Sequence, residues 1–167
     1  MIEDEELRIT FKAASEEHLQ KLDEGLLYLE RFPEDRARIE DLMREAHSLK
    51  GDANMLGVKD VSTLAHQLEH ILGTLKLGEN IVTPGLCDRL AAGLQAIRQL
   101  VREAVTGEAA GVNTFYILAY LMGAQTKQTA PPPLEIADTL KSSPKLTTSS
   151  ADRPSEDSKV PSPFEPE

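Results

Sequence analysis

The sequence predicts an all-α protein: an antiparallel four-helix, up-down bundle with a fifth C-terminal helix, followed by a disordered tail. Three observations carry this. Apolar residues recur every three or four positions through four long windows, the period of a half-buried helix. Leu and Ala dominate, aromatics make up only 4% and Trp is absent, with no strand-like alternation to compete. Eight of the ten prolines fall between Pro131 and Pro166, among Ser/Thr clusters that cannot bury enough apolar surface to offset the entropy of ordering.

The first helix is expected from about Asp4 to Glu30, with Leu7, Phe11, Ala14, Leu22, Leu26 and Leu29 inward and His18 filling the gap as a satisfied core histidine. The second is expected from about Pro33 to Leu56. Glu34 and Asp35 suit its positive N-terminus, Ile39, Leu42, Ala46, Leu49, Ala53 and Leu56 form its stripe, and Gly57 closes it. A third, Lys59 to Leu77, turns Val61, Leu64, Leu68, Leu72 and Leu75 inward and stops at Gly78. Thr83-Pro84 reads as a cap and first-turn pair opening the fourth. Its stripe is Leu86, Leu90, Leu94, Ile97, Val101 and Ala104, and Gly107 ends it. A shorter fifth helix spans about Asn113 to Ala124. Short loops between long amphipathic helices imply antiparallel neighbours. The chain therefore divides into a bundle over 1–125 and a Pro/Ser/Thr-rich linker or tail over 126–167.

Bulk charge narrows the function. The net charge of -10 argues against a nucleic-acid binder, which needs a basic stripe. Most of it belongs to the bundle, where 13 basic face 21 acidic residues over 1–124. The lone Cys87 excludes a disulfide framework, fits a reducing compartment and is expected to pack rather than react. No basic flank precedes an apolar core at the N-terminus, so no signal peptide is expected. The apolar run from Phe115 to Met122 is too short to span a bilayer. No membrane association and a cytoplasmic location are expected.

The chemistry concentrates in Ala46-His47-Ser48-Leu49-Lys50-Gly51. An imidazole is a nitrogen nucleophile near neutral pH. Lys50, at i+3, shares its face and can meet phosphate charge. Gly51 removes a side chain beside that face, leaving room for a bulky protein partner. His47 lies about 100° round from the buried Ala46, in a row with Arg44 at i−3 and Asn54 at i+7. On the third helix His66 and Glu69 flank the buried stripe. Counting from the Gly57 turn, His47 and Glu69 stand at similar heights. Glu69 can then accept a hydrogen bond from one ring nitrogen, leaving the other free to attack.

These segments, with Asn54-Met55-Leu56-Gly57 and Leu64-Ala65-His66-Gln67-Leu68-Glu69, resemble the histidine phosphotransfer (HPt) domain, most closely the version that begins CheA-type chemotaxis histidine kinases. The resemblance covers roughly residues 5–124. It implies that His47 is the phosphoacceptor, that Lys50 supports the phosphate, that Glu69 polarises the imidazole and that His66 lies near the site. It also implies the N-terminal part of a CheA-like, simple or hybrid, sensor kinase. The partners would then be a histidine kinase catalytic domain, which brings the ATP and Mg²⁺, and a response-regulator receiver domain; no cofactor is expected in this chain. Asp52 departs from the family pattern, in which a small residue is usual there.

Two other readings compete. His66-Gln67-Leu68-Glu69-His70 matches the inverted zincin pattern His-x-x-Glu-His, and His66 and His70 at i, i+4 share a face that can hold zinc. A catalytic zinc needs a third protein ligand and a cleft, which a bundle of this size scarcely provides, so no metal is expected. The other is a helical interaction module without phosphotransfer, which requires the His47 constellation to be accidental.

Overall fold

The computed structural model describes residues 1–124; the expected tail lies outside the described residues. Five helices follow in order: α1 Glu5–Arg31, α2 Arg36–Met55, α3 Lys59–Leu77, α4 Pro84–Thr106 and α5 Thr114–Leu121. α1 packs on α2 and α4, α3 closes the ring against α2 and α4, and α5 lies on α3 and α4.

The helix starts follow from side-chain caps. Asp4, Asp35, Thr83 and Asn113 each accept from the backbone N–H three residues on, satisfying one orphan donor per helix. Asp35 is thus the cap of α2 rather than part of its first turn, so α2 begins at Arg36, three residues later than the sequence suggests. Gly57 adopts φ 71° just beyond the end of α2, while Val58 N–H reaches back to Ala53 O at 2.9 Å. This left-handed turn, strained for any residue with a side chain, reverses the chain into α3.

The expected stripes of α3 and α4 are buried throughout, as are Ile39, Leu42, Ala46, Leu49 and Ala53 of α2. Leu56 is only partly buried, at the mouth of the turn. Cys87 is buried, and desolvation pushes its thiol above the ordinary range. The first half of α1 is a correction. Its inward row is Phe11, Ser15, Leu19 and Leu22, while Leu7 is exposed. His18 stands at the edge of α1 facing polar groups of α2 instead of the apolar core. A small residue also fixes the α1–α2 approach: a Cβ on Gly25 would lie 2.2 Å from Leu42 Cδ2, closer than packed atoms come.

Candidate phosphotransfer site

The site occupies the seam between α2 and α3. The apolar stripe of α2 buries Ala46 and Leu49, so the helical period carries His47 and Lys50 to the edge facing α3. On α3, burial of Leu68 and Leu72 brings Glu69 to the matching edge. Glu69 Oε1 lies 2.7 Å from His47 Nδ1, and Lys50 Nζ lies 2.6 Å from Glu69 Oε2. One carboxylate thus receives the imidazole on one oxygen and the ammonium on the other.

The charge state of Glu69 fixes the imidazole. Burial of Glu69 pushes its carboxyl up, but the hydrogen bonds from Lys50 and His47, with their charges, outweigh burial and hold it below the ordinary value of 4.5. Near neutral pH it is a carboxylate and only accepts, so His47 Nδ1 must donate. The neutral ring then keeps its lone pair on Nε2, which has no partner among the described residues. His47 is 66% exposed, against 21% and 22% for Glu69 and Lys50. The imidazole is exposed, and the Glu69–Lys50 pair beside it is largely covered. Lys50 Nζ is also 3.5 Å from Nδ1, but two donors make no hydrogen bond. Lys50 is engaged with Glu69, and in this arrangement its charge steadies that carboxylate.

The other expected site residues are placed differently. Arg44 turns back along α2, with its guanidinium on Glu40 Oε1 at 2.6 Å and Asp41 Oδ1 at 3.3 Å. Asn54 accepts from Ser62 Oγ at 2.7 Å, tying α2 to α3 two turns from His47. His66 is exposed one turn before Glu69, with no partner among the described residues. Gly51 is exposed, and a Cβ there would meet nothing within 4 Å; the fold does not need this glycine. Asp52 points to the opposite side of α2, where its Oδ2 is 3.5 Å from His18 Nε2. His70 is exposed, and no three His, Cys, Asp or Glu side chains form a metal-ligating group among the described residues. Sequence reasoning missed the His18–Glu45 contact, 2.6 Å between Nδ1 and Oε2. Its signal was present in His18-x-x-Lys21, which repeats the spacing of His47-x-x-Lys50.

Comparison with known proteins gives the class. The model of the Hpt domain family matches residues 6–100, more than half of the chain, and the chain belongs to that family. Its relatives narrow the type. The chain is 37% identical over 93 residues to the chemotaxis protein CheA of Bacillus subtilis, covering 56% of this chain and 14% of that one. The CheA phosphotransferase domain from Thermotoga maritima superposes with a TM-score of 0.59 at 35% identity, over 61% of this chain and 97% of that domain. The fold also matches the phosphorylated P1 domain of CheA3 from R. sphaeroides, solved in complex with CheY6, with a TM-score of 0.64 at 20% identity, over 72% and 95% of the two chains. The chain therefore spans a small part of the curated CheA it matches and nearly the whole of the solved phosphotransfer domains. No helix among the described residues is long and apolar enough to cross a membrane.

Proposed function

We propose that the bundle over 1–125 is the phosphoryl carrier of a CheA-like relay, with His47 as the group that is loaded and discharged. The observation that carries this reading is the exposed imidazole of His47, whose Nδ1–H is held by Glu69 and whose Nε2 has no partner among the described residues. In the loading step the Nε2 lone pair attacks the γ-phosphorus of ATP held, with Mg²⁺, by a histidine kinase catalytic domain. The N–P bond forms as the bond to the ADP oxygen breaks, and ADP leaves with the electron pair. The ring becomes a phospho-imidazolium. Its Nδ1–H stays on Glu69, whose negative charge stabilises the new positive one. Discharge reverses the charge flow: a receiver aspartate attacks phosphorus, the N–P bond breaks and neutral His47 is restored.

Lys50 holds Glu69 in register and lies near enough to meet the phosphoryl oxygens when Glu69 shares it. His66, exposed one turn away on α3, belongs to the rim that a partner covers, as do Gly51 and Arg44. Residues 126–167 serve as the link between carrier and partners, raising effective concentration. The setting is the cytoplasm, where the kinase core finds ATP and the receiver meets the loaded carrier.

The test is a relay. The chain is mixed with a CheA-type kinase core, ATP and Mg²⁺, then with a receiver domain. Acid-labile label is expected on the chain and then on the receiver, and none on His47→Gln, whose helical content stays that of the wild type. Full labelling of His47→Gln would reject the assignment.

A further inference from the structure

Among the described residues, three of the polar contacts that join α2 to α3 are evenly spaced; a fourth, Lys50 Nζ to Glu69 Oε2, lies beside the middle one. Glu40 Oε2 meets Lys76 Nζ at 3.2 Å, His47 meets Glu69 at 2.7 Å, and Ser62 Oγ donates to Asn54 Oδ1 at 2.7 Å. Along α2 the members are 40, 47 and 54, and along the antiparallel α3 they are 76, 69 and 62. Each step is seven residues on both helices. Seven residues make two turns of a helix pair wound at about 3.5 residues per turn, so the three contacts fall on one continuous seam. They stand about 10 Å apart, at about 1.5 Å per residue.

We propose that the outer two contacts are positioning rungs for the middle one: Asn54–Ser62 and Glu40–Lys76 set the register of α3 on α2 that places Glu69 under His47. The seam requires such a device. A slip of α3 by one residue turns it by about 100° against α2. It would set either Leu68, which belongs to the core, or His70, which cannot orient the ring as a carboxylate does, opposite His47. The apolar stripe alone restricts the slip but leaves small rotations open, because Leu side chains have no preferred polar partner. A hydrogen bond and an ion pair are directional and reject them. Ser62 is 8% exposed, so its hydroxyl has little water to turn to and stays on Asn54. Glu40 is also held from its own helix by Arg44, which presents its other oxygen to Lys76; the pairs on Glu40 hold its carboxyl below the ordinary 4.5. Asn54 and Arg44 thus act on the site through the register, without touching His47.

The inference concerns the same site as the carrier reading, but its first readout needs no phosphoryl group. Nitrogen NMR of the unphosphorylated protein reports which ring nitrogen of His47 carries hydrogen. The wild type is expected to show Nδ1–H alone, and Glu69→Gln a mixture. Ser62→Ala and Lys76→Met should each admix the Nε2–H form. They should also slow labelling of His47 by phosphoramidate, up to about five-fold, the worth of one neutral hydrogen bond for Ser62 and of one exposed ion pair for Lys76. Ser62→Thr, which keeps the hydroxyl, restores both. Lys76 lies on the surface, so Lys76→Met carries the test without opening the core. Variants that lose thermal stability but keep the wild-type tautomer and labelling rate would reduce the rungs to ordinary structural contacts and overturn the proposal. A shifted tautomer in a protein that never labels would keep the ladder and reject the carrier.

Discussion

Two copies of one side-chain pattern stand among the described residues, and only one fits the transfer proposed above. On α1, His18-x-x-Lys21 shares Glu45 of α2: His18 Nδ1 is 2.6 Å and Lys21 Nζ 3.5 Å from its two carboxylate oxygens. On α2, His47-x-x-Lys50 shares Glu69 of α3 in the same way. The difference lies on the far side of each ring. His18 is 18% exposed and its Nε2 faces Asp52. His47 is largely exposed and its Nε2 has no partner among the described residues. A phosphoryl group on His18 would be set against the Asp52 carboxylate, where like charges repel; on His47 it meets no anion at its own nitrogen. An oriented imidazole is therefore not sufficient. The second nitrogen has to be open and free of negative charge. Asp52, which the resemblance marks as a departure, answers to His18 of α1, on the opposite side of α2 from His47.

The largest effect that can break this comparison lies at Glu69. Glu69→Gln keeps the shape but loses the charge that fixes the ring, and phosphorylation of His47 should fall about 10- to 100-fold, the usual cost of removing an orienting partner. The same group gives a pH signature. Its folded-state value is depressed, so its contribution is fully present above the ordinary 4.5 and is lost as pH falls from there through the lower folded value. Acid unfolding of the wild type should carry this loss, and that of Glu69→Gln should lack it; identical acid profiles would contradict the pairing. Next in size is His18→Ala. It removes the bridge from Glu45 to Asp52 and should lower stability by about 1–2 kcal/mol, read from denaturant midpoints, while labelling of His47 stays at the wild-type level. Loss of labelling there would mean that the two copies share one function. Smallest is Gly51→Ala, which should raise stability by about 0.5–1 kcal/mol, since the site has room for a Cβ and helix propensity favours Ala. The same change should slow discharge to a receiver more than chemical labelling, because it encroaches on the face where a protein docks.

Much of this was legible in the sequence because the helices obey their period. α3 and α4 have an aliphatic residue at every position of their expected stripes, and their limits are written in Gly57, Gly78, Thr83-Pro84 and Gly107. Counting residues from Gly57 placed Glu69 level with His47, since an antiparallel hairpin leaves little freedom once its turn is known. α1 was less legible. Ser15 is fully buried, and a hydroxyl does not announce burial; the sequence therefore draws the inward row through Ala14 and His18 instead of Ser15 and Leu19. The start of α2 shifted because Asp is equally apt as a cap or as a first-turn acid, and only the bond from Arg38 N–H to Asp35 decides. At the site, spacing put Arg44, Lys50 and Asn54 beside His47 but not where their ends go. Side chains of that length reach several partners, and the choice belonged to Glu40, Glu69 and Ser62, residues the row itself does not contain.

The most direct test is the atom that carries the phosphoryl group. The wild-type chain is labelled with phosphoramidate, the modified residue is located by mass spectrometry, and phosphorus and nitrogen NMR assign the ring nitrogen. The account predicts one phosphohistidine, at His47, bonded through Nε2, with Nδ1–H still on Glu69. Phosphorylation through Nδ1 of His47, or on His18 in its place, would contradict it.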